Sequence, residues 1–231
     1  MNIFGITIDN LTRIDVLKQI DGWLAGDSFH RIATVGPEFL LLATKNRVFR
    51  GALESADLRV ADGAGLNLPF FLAGESLLER ITGADLLPEI LARANERYLS
   101  VGLLLAPDGL ATFDEIRSTL RDRYPNLSIS KFAPEYLSPH KPIPYALVFC
   151  NYGAPLQEIV LAGLRKNAGA LRFAMGVGGA FDFLTGKVLR APKFFQAIGL
   201  EWLWRLWQQP KRWKRIWNAV IVFPVKVLCQ K

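Results

Sequence analysis

The chain has 231 residues, 51% of them hydrophobic and 21% charged, so it can bury a full core and is not a disordered protein. Cys150 and Cys229 lie far apart in apolar surroundings, which indicates buried thiols and a reducing compartment rather than a disulfide framework. The first residues do not resemble a secretory signal, and the C-terminal apolar run at 219–225 is far shorter than the ~20 residues of a membrane span. We therefore expect neither export nor a membrane-spanning helix.

The net charge of +7 is concentrated in the last part of the chain. Residues 201–231 contain seven basic residues and one acid, a net charge of +6, together with five of the six tryptophans. The preceding 200 residues are nearly neutral. We call residues 199–231 the tail and predict that it forms a separate interaction surface appended to a domain at 1–198.

Apolar segments of strand length alternate along the chain with segments of helical period, which predicts an α/β fold. The predicted strands lie at 32–35, 58–60, 101–105, 127–130, 146–150 and 171–175. The predicted helices lie at 13–24, 37–45, 84–98, 108–123 and 155–167. Because several strands are apolar on both faces, we expect a mainly parallel, Rossmann-like sheet covered by helices. The proline-rich segment 133–145 predicts a loop that joins the two halves of the sheet.

In open parallel sheets, ligands bind beyond the carboxyl ends of the strands. Small and polar residues follow four of the predicted strands, at 34–38, 61–65, 151–155 and 176–179. Their shared position predicts a binding site at one edge of the sheet.

Asp62 stands between a strand and the glycine turn 63–65, where its carboxylate is exposed enough to act as a general base. Capping of the following helix is the commoner role for an aspartate at such a turn, and the motif alone does not decide.

The segment 176–179, with glycines at 176, 178 and 179, is typical of a turn whose backbone amides bind phosphate, although tight strand-to-helix packing explains it about equally well. Gln157 and Glu158 open a helix at the same edge. They are candidates for hydrogen bonds to a base or ribose, or else ordinary first-turn residues.

No Asp-x-Asp pair occurs, and His30 and His140 have no ligand-like neighbours, so we expect catalysis without a metal ion.

The tail predicts two short helices separated by Pro210, with clusters of tryptophan and basic residues. This composition favours an interfacial helix facing anionic lipid, outside the core of the central sheet. Nucleic-acid binding and a plain buried helix are the alternatives.

Five segments together resemble the WecG/TagA/CpsF family of bacterial glycosyltransferases, glycosyltransferase family 26. The most specific is the sequence GVGGAFDFLTGKVLRAPK at 176–193, followed by GLEWLWRL at 199–206. The supporting matches are T-x-x-P-E at 34–38, ADG at 61–63, RITGAD at 80–85 and GAPxQE at 153–158.

The resemblance implies an inverting, metal-independent transferase in which Asp62 deprotonates the acceptor hydroxyl. It places Thr34 in the sugar pocket and has Arg80, Gln157 and Glu158 hold the nucleotide diphosphate. Arg205 and Arg212 would fold over the site and reach a diphosphate at the membrane, where their charge would neutralise the leaving group. Other substrate-binding positions implied by the matching motifs are Gly36, Asp85, Gly153, Gly178, Gly179 and Arg190.

One position departs from the family pattern, because members usually carry Asn where this chain has Gly36. Because this side chain is lost, the resemblance does not decide the identity of the donor sugar. A neighbouring group or a water molecule is the candidate to take the place of the Asn side chain.

The resemblance implies transfer of a hexose or N-acetylhexosamine, such as N-acetylmannosamine, from a UDP-sugar to a polyprenyl-diphosphate-linked sugar in cell-wall polymer or exopolysaccharide assembly. It implies no cofactor, no nucleic acid partner, and a cytoplasmic enzyme held peripherally at the anionic inner face of the plasma membrane. A homo-oligomer is compatible with it. A catalytically degenerate relative that only binds nucleotide sugar, or a scaffold, is the alternative.

Overall fold

The computed structural model describes residues 1–138, 140–197 and 199–229, with the backbone alone at residues 196, 197 and 211. Two strands form an N-terminal hairpin and six form the central sheet. They are β1 (Asn2–Ile3), β2 (Ile6–Thr7), β3 (His30–Val35), β4 (Leu58–Ala61), β5 (Ser100–Leu104), β6 (Ser128–Lys131), β7 (Leu147–Cys150) and β8 (Phe173–Gly176).

The central sheet is parallel throughout, with the strand order β4-β3-β8-β7-β5-β6. All six predicted strands are present, each within two residues of its predicted start. Strands β3, β4, β7 and β8 are buried along almost their whole length, since helices cover both faces. The α/β, Rossmann-like prediction is confirmed.

Helices on the two faces form separate apolar layers. On one face, α1, α5, α6 and α8 pack against alternate strand residues such as Ile32 and Phe149. On the other face, α2, α3, α4 and α7 cover the residues between them, such as Ala33 and Val148. The bounds are α1 (Arg13–Ala25), α2 (Pro37–Ala43), α3 (Arg47–Glu54), α4 (Asn67–Leu72), α5 (Gly83–Glu96), α6 (Phe113–Arg123), α7 (Leu156–Gly163) and α8 (Ala180–Leu184).

Side-chain caps explain where the observed helices depart from the predicted ones. The helix predicted from residue 108 begins at Phe113, because Thr112 and Glu115 form a reciprocal capping box there. Helix α3 was not predicted, although Asn46 caps it by accepting a hydrogen bond from the Phe49 amide. The loop predicted at 133–145 contains one short 3₁₀ helix, Pro134–Leu137.

The tail and the residues before it are helical. Helix α9 (Lys193–Ala197) precedes α10 (Glu201–Gln208), and a 3₁₀ turn at Pro210–Arg212 separates α10 from α11 (Trp213–Trp217). A π-helical turn, Asn218–Val222, joins α11 to α12 (Phe223–Leu228). The predicted break at Pro210 is therefore confirmed.

One side chain of the tail belongs to the interior. Phe223 is fully buried where α12 packs against α2 and α4, with its ring 5.6 Å from that of Phe4. The expectation that the tail stays outside the core is wrong at this position, because Phe223 belongs to the same buried cluster as Ala33 and Val35 of the sheet. Residue 198, the last of the predicted catalytic domain, lies outside the described residues, as do Lys231 and the Lys211 side chain.

The two thiols differ in burial. Cys150 is buried and Cys229 is exposed, and both are free. The prediction of buried thiols is thus wrong for Cys229, which ends α12 at the surface. In the part of the chain that the structure describes, every helix is too short or too polar to cross a membrane.

Candidate functional site

A cleft of about 430 Å³ opens at the carboxyl ends of β3, β4 and β8 and is covered by the tail. The register aligns these ends, because Val35 of β3 pairs with Ala61 of β4 and Ile32 of β3 pairs with Met175 of β8. The sequence-predicted residues on the cleft wall are Thr34, Gly36, Asp62, Arg80, Gln157, Gly178, Gly179, Arg205 and Arg212. Asp85, Gly153, Glu158 and Arg190 lie behind them.

Asp62 is held where the cleft meets the end of β4. Its backbone amide donates to the Val35 carbonyl oxygen at 2.8 Å, which extends the β3–β4 pairing by one residue. Gly63 follows with φ of 117°, a conformation that glycine tolerates, and this turns the chain away from the carboxylate. The Asp62 side chain is left partly exposed to the cleft.

The electrostatic surroundings of Asp62 suit a general base. Burial raises the pKa of its carboxyl most, and the neighbouring Glu38 raises it further, whereas Arg80 opposes the shift. The resulting pKa is about 6. A base is most effective when its pKa lies near the working pH. At neutral pH Asp62 is therefore ionised and yet a stronger base than an ordinary aspartate.

Gln157 is fixed by hydrogen bonds at both ends of its amide. Its Oε1 accepts from the Gly153 backbone amide at 3.0 Å, and its Nε2 donates to Glu158 Oε1 at 3.1 Å. Gly176 must be glycine here, because a Cβ would lie 2.4 Å from Gln157 Nε2. Gly153 adopts φ of 75° in the turn before α7. The turn thus presents Gln157 to the cleft in one orientation.

Glu158 lies behind the wall and not on it. Its side chain is fully buried, and Oε2 accepts from Arg31 Nη1 at 2.6 Å. Arg31, also buried, donates to Ser55 Oγ at 3.1 Å and to the Ala52 carbonyl oxygen. The position of Glu158 offers support to Gln157 rather than the direct diphosphate contact that the resemblance implied, since both carboxylate oxygens are bonded within the protein.

The tail places three arginines over the cleft. Arg205 lies above the Phe183 ring at 4.6 Å, and a Cβ on Gly179 would lie 3.1 Å from Arg205 Nη2 and 3.4 Å from Arg212 Nη2. Burial, and then repulsion by Arg205 and Arg215, lowers the pKa of Arg212 to about 10. Burial likewise lowers the pKa of Arg205. Crowded, poorly hydrated guanidinium groups of this kind favour a polyanionic ligand such as a diphosphate.

On the opposite wall, Glu201 of the tail lies near two basic groups of the body. Arg80 Nη2 is 3.6 Å from Glu201 Oε2, and Arg190 Nε is 3.9 Å from Glu201 Oε1. Arg190 also contacts Asp85, with 2.6 Å between Nη1 and Oδ1. Although burial acts to raise the pKa of Asp85, hydrogen bonds from Arg190 and Thr82 outweigh it and lower that pKa. Asp85 and Arg190 therefore support Arg80 and Glu201 from behind.

Several lining residues were not predicted as members of the site. Glu38 and Arg215 form an ion pair at the mouth of the cleft, with Arg215 Nε 2.8 Å from Glu38 Oε1. Glu38 belongs to the T-x-x-P-E match, and Arg215 follows Arg212 by three residues, the spacing of one helical face. Both signals were available in the sequence. Other lining residues that were missed include Phe183, Glu201 and Trp202.

Among the residues that the structure describes, no three His, Cys, Asp or Glu side chains come together as a set that could hold a metal ion. Metal independence itself stays a prediction.

Comparison with known proteins identifies the family to which the chain belongs. The model of the "Glycosyl transferase WecG/TagA/CpsF family" matches residues 1–231. The chain belongs to the WecG/TagA/CpsF family of glycosyltransferases. It is accordingly a glycosyltransferase, as the five sequence segments indicated.

Curated relatives in two genera carry the same name, N-acetylglucosaminyldiphosphoundecaprenol N-acetyl-beta-D-mannosaminyltransferase. The protein of Bacillus subtilis (strain 168) is 32% identical over 80% of this chain and 74% of its own length. That of Staphylococcus aureus (strain MRSA252) is 28% identical over 98% of this chain and 91% of its own. The similarity to this WecG/TagA/CpsF member thus extends over both the sheet domain and, in the S. aureus protein, the tail.

Proposed function

We propose that this WecG/TagA/CpsF family member transfers a hexose or N-acetylhexosamine, such as N-acetylmannosamine, from a UDP-sugar to a sugar linked to polyprenyl diphosphate. The product would serve cell-wall polymer or exopolysaccharide assembly. The observation that carries the proposal is the placement of Asp62, with its raised pKa, in a cleft covered by the tail arginines. The names of the relatives support a lipid-linked acceptor and an N-acetylhexosamine donor.

The chemistry is an inverting displacement at the anomeric carbon of the donor. Asp62 accepts the proton of the acceptor hydroxyl. At the same time, the oxygen of that hydroxyl forms a bond to the anomeric carbon of the donor. The bond from that carbon to the diphosphate oxygen breaks on the opposite side, and UDP leaves with the electron pair. Proton transfer to a positioned base of this kind contributes typically ~10² to 10⁴ in rate.

The departing diphosphate gains negative charge, which Arg205 and Arg212 are placed to neutralise from above, with Arg80 on the facing wall. Such preorganised cations act most strongly where water is excluded. Because the arginines supply the positive charge, the mechanism proposed here uses no metal ion. Thr34 and Gln157 line the same cleft and are assigned to the donor.

The outer surface of the tail suits peripheral attachment to an anionic membrane on the cytoplasmic side. Trp207, Trp213 and Trp217 are between 55% and 75% exposed, and Lys214 is exposed among them. Aromatic side chains partition to the level of the lipid headgroups, and basic groups are attracted by anionic lipid. A lipid-linked acceptor would meet the cleft from this side.

A donor screen tests the proposal. Purified full-length protein is given a short-chain polyprenyl-diphosphate-N-acetylglucosamine acceptor and a panel of UDP-, GDP- and CDP-sugars, and nucleotide release and product mass are followed. We expect transfer from a UDP-N-acetylhexosamine or UDP-hexose that requires the lipid acceptor. Binding of UDP-sugar without transfer would favour a catalytically degenerate protein instead, and transfer only from other nucleotides would exclude the UDP assignment.

A further inference from the structure

Ion pairs of opposite polarity join the tail to the body at the cleft. Arg215 of the tail pairs with Glu38 of the body, whereas Glu201 of the tail pairs with Arg80 of the body. Both Nε and Nη2 of Arg215 donate to Glu38 Oε1. The pairs also bring together residues far apart in sequence, 177 positions in the case of Arg215 and Glu38.

Gly36 provides the space in which Glu38 reaches Arg215. A Cβ at Gly36 would lie 2.7 Å from Glu38 Oε2 and 3.0 Å from the Asp62 carbonyl oxygen. Gly36 has φ of −99°, which any residue can adopt, so the backbone does not require glycine there. The restriction is one of space, and it concerns the Glu38 carboxylate.

We propose that Glu38, given room by Gly36, is a positioning residue that docks the tail by binding Arg215. The Glu38 carboxylate lies over the start of α2, close to Gly36. From there it binds Arg215 and holds α11 against the mouth of the cleft. In the sequence, Arg205 and Arg212 lie between Glu201 and Arg215, the tail members of these ion pairs. In the part of the chain that the structure describes, Arg205 Nε is buried without a hydrogen-bond partner. Docking by Glu38 therefore holds these two arginines in place on the wall of the cleft.

The role of the docked arginines in transfer rests on the proposed function, but docking itself can be measured without substrate. Amide hydrogen exchange of residues 213–222 is followed in full-length protein, with circular dichroism to confirm that each variant is folded. Glu38→Gln should speed exchange in this segment about tenfold, because the charge-assisted hydrogen bonds from Arg215 would be weakened. Gly36→Ala should do the same by displacing the Glu38 carboxylate.

Glu54→Gln is the matched control, because Glu54 also accepts from an arginine Nε, that of Arg50 at 2.8 Å, but lies on α3 away from the cleft. It should leave exchange at 213–222 unchanged. The charge-exchanged variant Glu38→Lys with Arg215→Glu should restore slow exchange, which a merely structural glutamate would not allow. Docking by Glu38 would be overturned if amide exchange at 213–222 were as slow in Glu38→Gln as in Glu54→Gln. It would also be overturned if the charge-exchanged variant did not restore slow amide exchange.

A transfer assay then tests the link to the reaction. Glu38→Gln should lower kcat about tenfold, because the tail arginines spend less time over the leaving diphosphate. Loosening of the tail with an unchanged kcat would contradict a positioning role for Glu38. Failure of the proposed function would look different, since the wild-type protein would then release no UDP while its tail still responded to Glu38→Gln.

Discussion

At Asp62, burial and the Glu38 carboxylate raise the pKa to about 6, whereas Arg80 and Arg205 lower it and Glu201 raises it again. Asp62→Asn removes the proton acceptor and keeps the shape of the side chain. Turnover should fall by ~10² to 10⁴ while donor binding persists. Steady-state UDP release and donor titration measure the two effects separately. Wild-type turnover in the variant would refute the assignment of Asp62 as the base.

Stability gives an internal control for that substitution. The folded-state pKa of Asp62 lies above its ordinary value of 3.8, so its stabilising contribution is full below pH ~3.8 and is lost as the pH rises through about 6. At pH 7 the wild-type protein therefore holds an unfavourably desolvated charge. Asp62→Asn should melt no lower than wild type at pH 7, which separates lost chemistry from lost folding.

The same pKa predicts the pH dependence of the reaction. Only ionised Asp62 accepts a proton, so kcat/KM should be constant above pH ~7 and fall tenfold per pH unit below about 6. Glu38→Gln removes a charge that raises the pKa of Asp62, and should move this acidic limb to lower pH. A limb that stays in place in the variant would show that Glu38 does not act on Asp62.

At the scale of elements, α7 is held to the sheet by the buried pair of Arg31 and Glu158, 2.6 Å apart. Glu158→Gln would leave the buried Arg31 charge without its carboxylate partner. The free energy of unfolding should fall by ~3–5 kcal/mol, as measured by urea denaturation. Glu135→Gln, which removes the half-exposed partner of Lys141, is the control and should change the free energy of unfolding far less, because solvent screens an exposed pair. Equal effects would mean that the buried pair does not stabilise α7.

The elements themselves were largely predictable from the sequence, because a parallel strand buried on both faces must be apolar along its length. The segments at 146–150 and 171–175 show this most clearly, as β7 and β8 are entirely buried. Helix starts that depend on one capping side chain, as at Thr112 and Asn46, were less predictable. Their signal is a single hydrogen bond rather than a repeating pattern.

At the scale of the whole molecule, the position of the cleft at the carboxyl edge of the sheet could be predicted from the sequence. Contacts between segments that are distant in the sequence could not. Asp62 and the glycine turns come directly after strands, and the carboxyl ends of parallel strands lie at the same edge of the sheet. Their proximity could therefore be predicted. The pairing of Glu38 with Arg215 and the burial of Phe223 depend on how the tail folds back. The family resemblance assigned Glu158 to a ligand, and its pairing with Arg31 on a distant strand could not be read from the sequence.

The two faces of the tail should be separable by substitution. Arg212 lines the cleft, whereas Lys214 lies outside it beside Trp213, 5.6 Å from that ring. Arg212→Ala should lower transfer at least tenfold with little change in binding to anionic vesicles. Lys214→Ala should weaken vesicle binding by ~1 kcal/mol, and added salt should weaken it further.

Co-sedimentation with anionic and neutral vesicles, alongside the transfer assay, measures both faces. If the two substitutions impair transfer and vesicle binding to the same extent, the tail does not divide its roles in this way.

The central claim is that Asp62 and the tail arginines together transfer a sugar to a lipid-linked acceptor without a metal ion. Its most direct test is UDP release by full-length protein with UDP-N-acetylmannosamine and polyprenyl-diphosphate-N-acetylglucosamine, in EDTA. We expect steady release that requires the acceptor and proceeds at the rate measured without chelator. Release that stops in EDTA and returns with Mg²⁺ or Mn²⁺, or that does not depend on the acceptor, would contradict it.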